Sequence, residues 1–331
     1  MDIGIDLGTA NTIIYIRNSG IVLREPSVVA VDKRNDSVLA VGNEAKEMTG
    51  RTPDAVEVLR PLKDGVITDI DITTAMINRF IKNVVKRSVF SRPRIVICVP
   101  SGCTEIEKNA IDEVANNAGA RQVEIMEEPV AAAMGADMAV NEPTGIMVVD
   151  IGGGTCEAAV ISMGDIVTAC SVRVAGDEFD EAIMRYVRKK YNLLIGNETA
   201  ERIKIQIGSA CPYEKEDTVN IKGRDVSTGL PKSAKISSAE VREALEIPLS
   251  VIAEAVKTAL EKTPPELSAD IFDNGIMLTG GGALLRGINK LIAKETGMIV
   301  HVADFPLDCV ALGSGKRLEE MYSQSKKQMT K

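Results

Sequence analysis

The feature of this sequence that most constrains its fold is a short segment that occurs twice. Residues 3–16 (IGIDLGTANTIIYI) and residues 147–161 (MVVDIGGGTCEAAVI) align without a gap around Asp6 and Asp150. Each copy predicts a strand, a turn that contains glycine and a second strand, which is the pattern of a β-hairpin. Because helices and strands are predicted after each copy, the repeat indicates two related α/β lobes.

Both turns have the residue types that a phosphate chain requires. Glycine lets the backbone approach an anion and direct consecutive N–H groups at it. Each turn also follows an aspartate, and two carboxylates, Asp6 and Asp150, are suited to hold Mg²⁺ through its waters. Two ordinary hairpin turns with a capping aspartate are the alternative, which two matching copies in one chain disfavour. The predicted phosphate contacts are Gly8, Thr9, Ala10 and Asn11 in the first turn and Gly152, Gly153, Gly154 and Thr155 in the second.

Three other places each have two interpretations. Glu128, next to Pro129 at the predicted start of a helix, either caps that helix or orients the water that attacks a γ-phosphate. Glu201 and Lys204 are i,i+3 neighbours that either form a surface ion pair or hold a ribose and an adenine. The segment 280–282 (GGG) lies at a predicted strand-to-helix junction. It is either a weak dinucleotide fingerprint or a flat surface for an adenine ring.

Composition and charge argue against several function classes. The net charge of −8 disfavours general nucleic-acid binding, which needs a basic face. The six cysteines form no CxxC pair, which favours reduced core thiols over a disulfide framework or a zinc site. The one histidine, His301, lies in a strand-like run, which favours a structural role over catalysis. Since neither a signal-peptide pattern nor a membrane-length apolar run is found, we expect a cytoplasmic protein.

Apolar periodicity and capping residues predict several of the elements. The run RIVICV (94–99) predicts a buried parallel strand. Ser237 and Glu240 predict a capping box in front of a helix over 239–262. Further helices are predicted over 284–295 and from about Leu312 onward. The tail after Tyr322 has no apolar pattern and is predicted to be disordered.

Five segments resemble, in order, the motifs of the actin/Hsp70/sugar-kinase superfamily. They are IDLGTANT (5–12), EEPVAAAMGA (127–136), VVDIGGGTCE (148–157), MLTGGGALLRGI (277–288) and CVALGSGK (309–316). Seven more segments look like the MreB family in particular, and the resemblance runs from residue 2 to about residue 320. They are REPSVVAVD, RPLKDGVI, RVAGDEFDEAI, KKYNLLIG, TAERIK, TGLPK and EKTPPELSADI.

The resemblance implies an actin-like α/β fold of two related lobes, each with a mixed sheet flanked by helices. It implies four subdomains, with ATP or ADP and Mg²⁺ bound in the cleft between the lobes. The expected subdomains are IA (1–28, 66–141 and 310–331), IB (29–65), IIA (142–175 and 237–309) and IIB (176–236). The implied activity is a slow ATPase in which ATP favours a closed, polymer-forming state.

The resemblance also implies a role for each candidate residue. Asp6 and Asp150 act on Mg²⁺ and its waters, and Glu128 positions the hydrolytic water together with Thr155. Glu201 and Lys204 contact the nucleoside. Segments 128–137 and 309–315 are the implied hinges. The implied lining of the adenine pocket is Gly280, Gly281, Gly282, Ala283 and Leu284.

One departure from the family pattern follows the second glycine turn. The family has a second threonine and then Glu-Val, whereas this chain has Cys156, Glu157 and Ala158. Because Thr155 itself is present, hydrolysis remains expected. Its rate does not follow from the resemblance.

The implied partners are other copies of the chain, in homopolymer filaments, and an anionic lipid surface. The implied place is the inner face of the cell membrane, where a short apolar loop inserts. The loop candidate is Val89 and Phe90, which either insert into lipid or pack into the core. Cationic residues near the loop and in the tail favour an anionic surface; they are Lys86, Arg87, Arg92, Arg94, Lys326, Lys327 and Lys331.

Three rival functions are weighed against the filament protein. A sugar or acetate kinase of the same superfamily needs a base for its substrate, and no extra candidate is found near the implied hinges. A chaperone ATPase needs an appended peptide-binding domain, for which 331 residues leave no room. A nucleotide-gated scaffold would bind ATP with little turnover, and the presence of Glu128 and Thr155 favours hydrolysis instead.

Overall fold

The chain divides into two units. The computed structural model describes residues 2–85 and 92–329. The first unit comprises Met1–Pro143, Ser162–Ile166 and Leu307–Lys331, and the second comprises Thr144–Ile161 and Val167–Pro306. The division of the chain into four subdomains stays a prediction.

The elements are given in chain order. The strands are β1 (Asp2–Leu7), β2 (Asn11–Ile16), β3 (Gly20–Pro26), β4 (Val29–Asp32), β5 (Ser37–Val41), β6 (Val56–Leu59), β7 (Leu62–Lys63), β8 (Val66–Ile67), β9 (Arg94–Val99), β10 (Gln122–Glu127), β11 (Ile146–Ile151), β12 (Cys156–Ser162), β13 (Asp165–Val172), β14 (Leu193–Leu194), β15 (Thr218–Asp225), β16 (Pro231–Ser237), β17 (Ile276–Thr279) and β18 (Val300–Val302). The α-helices are α1 (Asn43–Glu47), α2 (Ile70–Val84), α3 (Glu105–Asn117), α4 (Glu128–Gly135), α5 (Gly176–Tyr191), α6 (Asn197–Ile207), α7 (Ser238–Glu261), α8 (Pro265–Asn274), α9 (Ile288–Thr296) and α10 (Cys309–Met329).

The sequence repeat corresponds to two five-stranded sheets with one topology. The orders are β10-β9-β1-β2-β3 in the first sheet and β18-β17-β11-β12-β13 in the second. In both sheets the repeated hairpin is antiparallel, β1 with β2 and β11 with β12, and the next two strands on its other side run parallel to its first strand. The expectation of two related α/β halves with mixed sheets is therefore confirmed.

The sequence explains why these elements form. Every residue of β9 and of β11 is buried, as expected for central strands with parallel neighbours. The predicted capping box is present, because Ser237 accepts from the backbone N–H of Glu240 and the Glu240 side chain accepts from that of Ser237. A second capping box joins Thr104 and Glu107 at the start of α3.

The structure corrects two predicted helices. The helix predicted over 284–295 is instead a 3₁₀ turn, Gly281–Leu284, followed by α9, because Gly287 adopts a φ of 79° between them. The final helix begins at Cys309 rather than near Leu312, and it continues to Met329. The prediction of a disordered tail was wrong. The guanidinium of Arg17 lies 3.8 Å from the ring centroid of Tyr322, and this contact holds the helix at the residue after which disorder was predicted.

No helix in the described ranges, 2–85 and 92–329, combines the length and the apolar character needed to cross a membrane.

Candidate nucleotide site

The first glycine turn, 8–11, is held by two neighbouring segments. Ser27 donates its hydroxyl to the Gly8 carbonyl oxygen (2.6 Å) and its N–H to the Ala10 carbonyl oxygen (3.0 Å). The N–H of Gly65 donates to the hydroxyl of Thr9 at 2.9 Å. The Thr9 hydroxyl accepts this bond, so its own O–H group can still donate to a phosphate.

The carboxyl edge of the first sheet brings Asp6 and Glu128 to the same side. In the parallel register Asp6 pairs with Cys98 of β9, and Cys98 pairs with Met126 of β10. Glu128 follows two residues after Met126, as the first residue of α4. Ligands of α/β sheets bind outside this edge, so the arrangement suits a shared ligand.

Glu128 is buried at the start of α4, with 8% of its surface exposed. The N-cap position belongs to Glu127, whose side chain makes no capping hydrogen bond. Of the two interpretations of Glu128, a side-chain N-cap is therefore wrong, although its charge at the first turn still favours the helix dipole. The positioning of a hydrolytic water stays a prediction.

The second glycine turn, 152–155, is held by the start of α5. The N–H of Gly176 donates to the Gly152 carbonyl oxygen (3.2 Å), and the N–H of Asp177 donates to that of Gly153 (2.8 Å). Within the turn, the N–H of Gly152 donates to the Thr155 carbonyl oxygen at 2.9 Å. These bonds fix several carbonyl groups of the turn from the protein side.

Asp150 is a buried carboxyl at the carboxyl end of β11. Thr279, its register partner on β17, donates its hydroxyl to Asp150 Oδ1 at 2.6 Å. Burial raises the pKa of Asp150 above its usual value, and the Thr279 hydrogen bond opposes this rise. A cation nearby would stabilise the ionised form, so the carboxyl fits a magnesium ion.

The residues described by the structure contain no cluster of three or more histidine, cysteine or acidic side chains suited to hold a metal. Mg²⁺ commonly keeps several waters and uses only one or two carboxylates. Asp6 in the first unit and Asp150 in the second are each a single carboxylate of the kind that this mode of binding uses. A dedicated all-protein cage, as calcium sites have, does not fit the described residues.

The turn 280–284 packs directly on Ile151, the last residue of β11, which leads into the second glycine turn. Gly280 has a φ of 77°, and a β-carbon there would overlap the backbone of Ile151. A β-carbon at Gly282 would overlap the Ile151 side chain. Packing therefore requires that Gly280 and Gly282 have no side chain. Later in the turn, Ala283 is buried and Leu284 is 58% exposed. A role in binding adenine stays a prediction.

Lys204 has a partner that sequence reasoning missed. Its Nζ lies 2.9 Å from Asp180 Oδ2, and both side chains are largely buried. The same Nζ donates to the Gly176 carbonyl oxygen at 2.8 Å. Lys204 is therefore not a surface group, and its position 24 residues from Asp180 gave no local signal of the pair. Glu201 lies one turn earlier on α6, half-buried.

The departure at Cys156 lies in the core. Cys156 is fully buried in the hydrophobic cluster of the second unit, together with Phe179 and Ile203. Burial raises the pKa of its thiol well above the usual value. The Cys156 side chain therefore belongs to the core, and Thr155 is the residue that ends the turn 152–155.

The two implied hinge segments pack on each other through glycines. A β-carbon at Gly135 of α4 would overlap the backbone of Cys309, and one at Gly313 of α10 would overlap the backbone of Ala131. Lys316 then donates to the Met134 carbonyl oxygen at 2.5 Å. Motion at these segments stays a prediction, as does membrane contact by Val89 and Phe90, which lie outside the described residues.

The candidate residues are thus distributed over both units. The first unit carries Asp6, the turn 8–11 and Glu128, and the second carries Asp150, the turn 152–155, Glu201, Lys204 and the turn 280–284. Residues that sequence reasoning missed are those that hold the turns, which are Ser27, Gly65, Gly176, Asp180 and Thr279.

Comparison with known proteins gives a consistent result. A family model described as MreB/Mbl protein matches residues 1–326. The cell shape-determining protein Mbl of Bacillus subtilis (strain 168) is 51% identical over 329 residues, which cover 99% of each chain. The cell shape-determining protein MreB of Escherichia coli (strain K12) is 53% identical over 324 residues, which cover 96% of this chain and 93% of that protein.

Solved structures agree with the sequence comparison. The crystal structure of MreB5 of Spiroplasma citri bound to AMPPNP has a TM-score of 0.93 and 40% identity, with 98% of each chain covered. A MamK double helical filament shares the fold, with a TM-score of 0.80 at 23% identity, over 96% of this chain and 98% of that one. The fold is actin-like, and the chain belongs to the MreB/Mbl family.

Proposed function

We propose that this chain binds ATP and ADP with Mg²⁺, hydrolyses ATP slowly, and forms filaments that determine cell shape at the inner face of the cell membrane. The observation that carries the proposal is the duplicated aspartate and glycine turn. The carbonyl groups of each turn accept hydrogen bonds from neighbouring segments, and these bonds hold the turn in place for phosphate binding. A relative bound to AMPPNP and to ADP supports nucleotide binding. Relatives named for cell shape support the cellular role.

The proposal gives each unit its own share of the nucleotide. The turns 8–11 and 152–155 bind phosphates, and Asp6 and Asp150 hold the waters of Mg²⁺. Glu128 orients the hydrolytic water, and the turn 280–284 contacts the adenine. The burial of Asp150 supports its part, because a carboxyl whose pKa is raised by desolvation is stabilised by a nearby cation. Magnesium, when bound, neutralises charge on the β- and γ-phosphates.

The hydrolysis of ATP is a separate part of the proposal. Thr155 lies in the second turn, and Glu128 lies at the carboxyl edge of the first sheet. The packing of Cys156 in the core supports a turn in which Thr155 is unaltered. The proposal of filament formation rests on family membership. Such filaments need a surface that repeats from copy to copy without closing into a ring.

Electron microscopy of the purified chain on anionic lipid tests the proposal. We expect filaments on the lipid with Mg-ATP and dispersed particles without nucleotide. The matched control is Asp150→Asn, which can still accept the Thr279 hydrogen bond but lacks the charge for Mg²⁺, and it should form no filaments. Dispersed particles from the unaltered chain under all conditions, with ATP still bound, would instead favour a soluble kinase or an ATP-gated scaffold.

Membrane attachment by Val89 and Phe90 has a separate test. We expect Phe90→Ser to reduce co-sedimentation with anionic liposomes several-fold, because the substitution removes apolar area that inserts at the interface. The control is the same substitution at Phe272, an exposed phenylalanine of α8. Equal sedimentation of the Phe90 variant and the unaltered chain would contradict the assignment of the loop.

A further inference from the structure

The ion pair between Lys204 and Asp180 has no part in the roles described so far for the phosphates. Lys204 Nζ lies 2.9 Å from Asp180 Oδ2, and the two side chains are 17% and 12% exposed. The second oxygen of Asp180, Oδ1, is buried without a hydrogen-bond partner among the described residues. Burying a charge pair to this degree carries a desolvation cost, so the pair is weak evidence for a stabilising role.

The pair connects to the second phosphate turn through three hydrogen bonds. Lys204 Nζ also donates to the Gly176 carbonyl oxygen (2.8 Å), at the first residue of α5. The N–H of Gly176 donates to Gly152, and the N–H of Asp177 donates to Gly153. A continuous path therefore runs from the Asp180 carboxylate, through the ammonium group and the start of α5, to the turn.

The Gly176–Asp177 peptide at the start of α5 lies between the turn and the ammonium group. A β-carbon at Gly176 would lie 3.2 Å from the Gly152 carbonyl oxygen and 3.6 Å from Lys204 Nζ. The Gly176 carbonyl oxygen accepts from Lys204 Nζ, and the N–H of Asp177, which points the opposite way in the same trans peptide, donates to the Gly153 carbonyl oxygen. Displacing the ammonium group removes the support behind that unit.

Asp180 keeps the ammonium group in place at neutral pH. Burial raises the pKa of Asp180 to about 6, and the Lys204 charge opposes this rise, so the carboxyl is mostly ionised at pH 7.5. Asp177 and Glu201 are the other charged groups that act on it, and both disfavour the ionised form. Lys204 is the cation that compensates it. Removing the carboxylate would leave a buried lysine with one backbone acceptor, and the lysine would turn toward water.

We propose that Asp180 is a positioning residue for the phosphate turn 152–155, acting through Lys204 and the first turn of α5. The inference rests on the proposed nucleotide binding and refines it. Lys204 then has two roles. It supports the phosphate turn through the first turn of α5, and it makes the implied contact with the nucleoside. Phosphate affinity and nucleoside affinity therefore depend on Asp180 to different extents.

The test compares AMPPNP with AMP in binding to Asp180→Ala. We expect the dissociation constant of Mg-AMPPNP to rise roughly 10-fold, the size expected for one charge-assisted hydrogen bond. That of AMP should rise clearly less, because AMP lacks the β- and γ-phosphates that the turn binds. Asp180→Asn should have a smaller effect, because its amide oxygen still accepts from Lys204. Melting temperatures of all variants show that they are folded.

The matched control is Glu295→Gln, which alters a Lys257–Glu295 ion pair of the same unit with no link to the turn. It should change neither affinity. Equal weakening of AMP and AMPPNP by Asp180→Ala would place the effect on the nucleoside and overturn the inference. Unchanged AMPPNP affinity would also overturn it. If the unaltered chain binds no AMPPNP, the proposed function itself fails, which is a distinct outcome.

Discussion

Replacing Gly313 with valine will strongly destabilise the first unit. A β-carbon at this position would overlap the carbonyl oxygen of Ala131, which is backbone of α4 and cannot rotate away as a side chain can. The reverse contact has the same character, since a β-carbon at Gly135 would overlap the backbone of Cys309. Valine adds three carbons to this crossing, so the helices α4 and α10 must separate.

The expected loss is large relative to the stability of a domain. Overpacking a core typically costs about 1–3 kcal/mol, and more where the opposing atoms cannot move. We expect a loss of at least about 4 kcal/mol, against a typical domain stability of about 5–15 kcal/mol. Hydrogen exchange should show lost protection in α4 and α10, and the purified variant should aggregate or be cleaved readily in the first unit.

The matched control for the glycine substitution is Gly196→Ser. A β-carbon at Gly196 meets no described atom within 4 Å, and this residue is the N-cap of α6, where serine is favoured. Its stability should equal or exceed that of the unaltered chain. A Gly313→Val chain that melts at the same temperature as this control would show that the two helices cross with more space than the structure has.

Replacing Glu128 with alanine will lower the rate of ATP hydrolysis about 100-fold, the low end of the contribution of a positioned acid–base group. The side chain lies at the carboxyl edge of the first sheet, two residues beyond the register row of Asp6. Because the proposed role concerns the attacking water, ATP affinity should change by less than about 3-fold, since uniform binding is retained. Phosphate release and nucleotide binding measure the two quantities separately.

Glu127→Ala is the control for this experiment. The two glutamates are adjacent, and Glu127 makes no capping hydrogen bond with its side chain, so its removal should leave both quantities nearly unchanged. An unaltered phosphate-release rate in Glu128→Ala would remove Glu128 from the mechanism. A rate that falls equally in both variants would indicate a general effect on the start of α4.

Features governed by local pattern were predictable from the sequence. The repeat gave the two hairpins, and the apolar run 94–99 gave a buried strand. The residues Ser237 and Glu240 gave a helix start that the structure reproduces, because a capping box is a local interaction over three residues. The helix predicted over 284–295 failed for an equally local reason, the left-handed conformation of Gly287.

Features that depend on contacts between distant segments were not predictable. Lys204 and Asp180 lie on different helices, and their pairing follows only from how α5 and α6 pack. The sequence predicts that Gly280 and Gly282 form a surface for adenine. The structure shows that close packing against Ile151 also requires glycine at both positions. The spacing of Cys156 after the turn could not distinguish a side chain in the turn from one in the core.

The contact of Gly280 and Gly282 with Ile151 has a consequence for how this chain can diverge. Ile151 lies between Asp150 and Gly152, so a side chain gained at either glycine would displace residues assigned to the ligand. We therefore expect a change at one of these positions to be tolerated only with a compensating change at another. Leu284, exposed at the end of the same turn, is limited by the proposed adenine contact rather than by burial in the core.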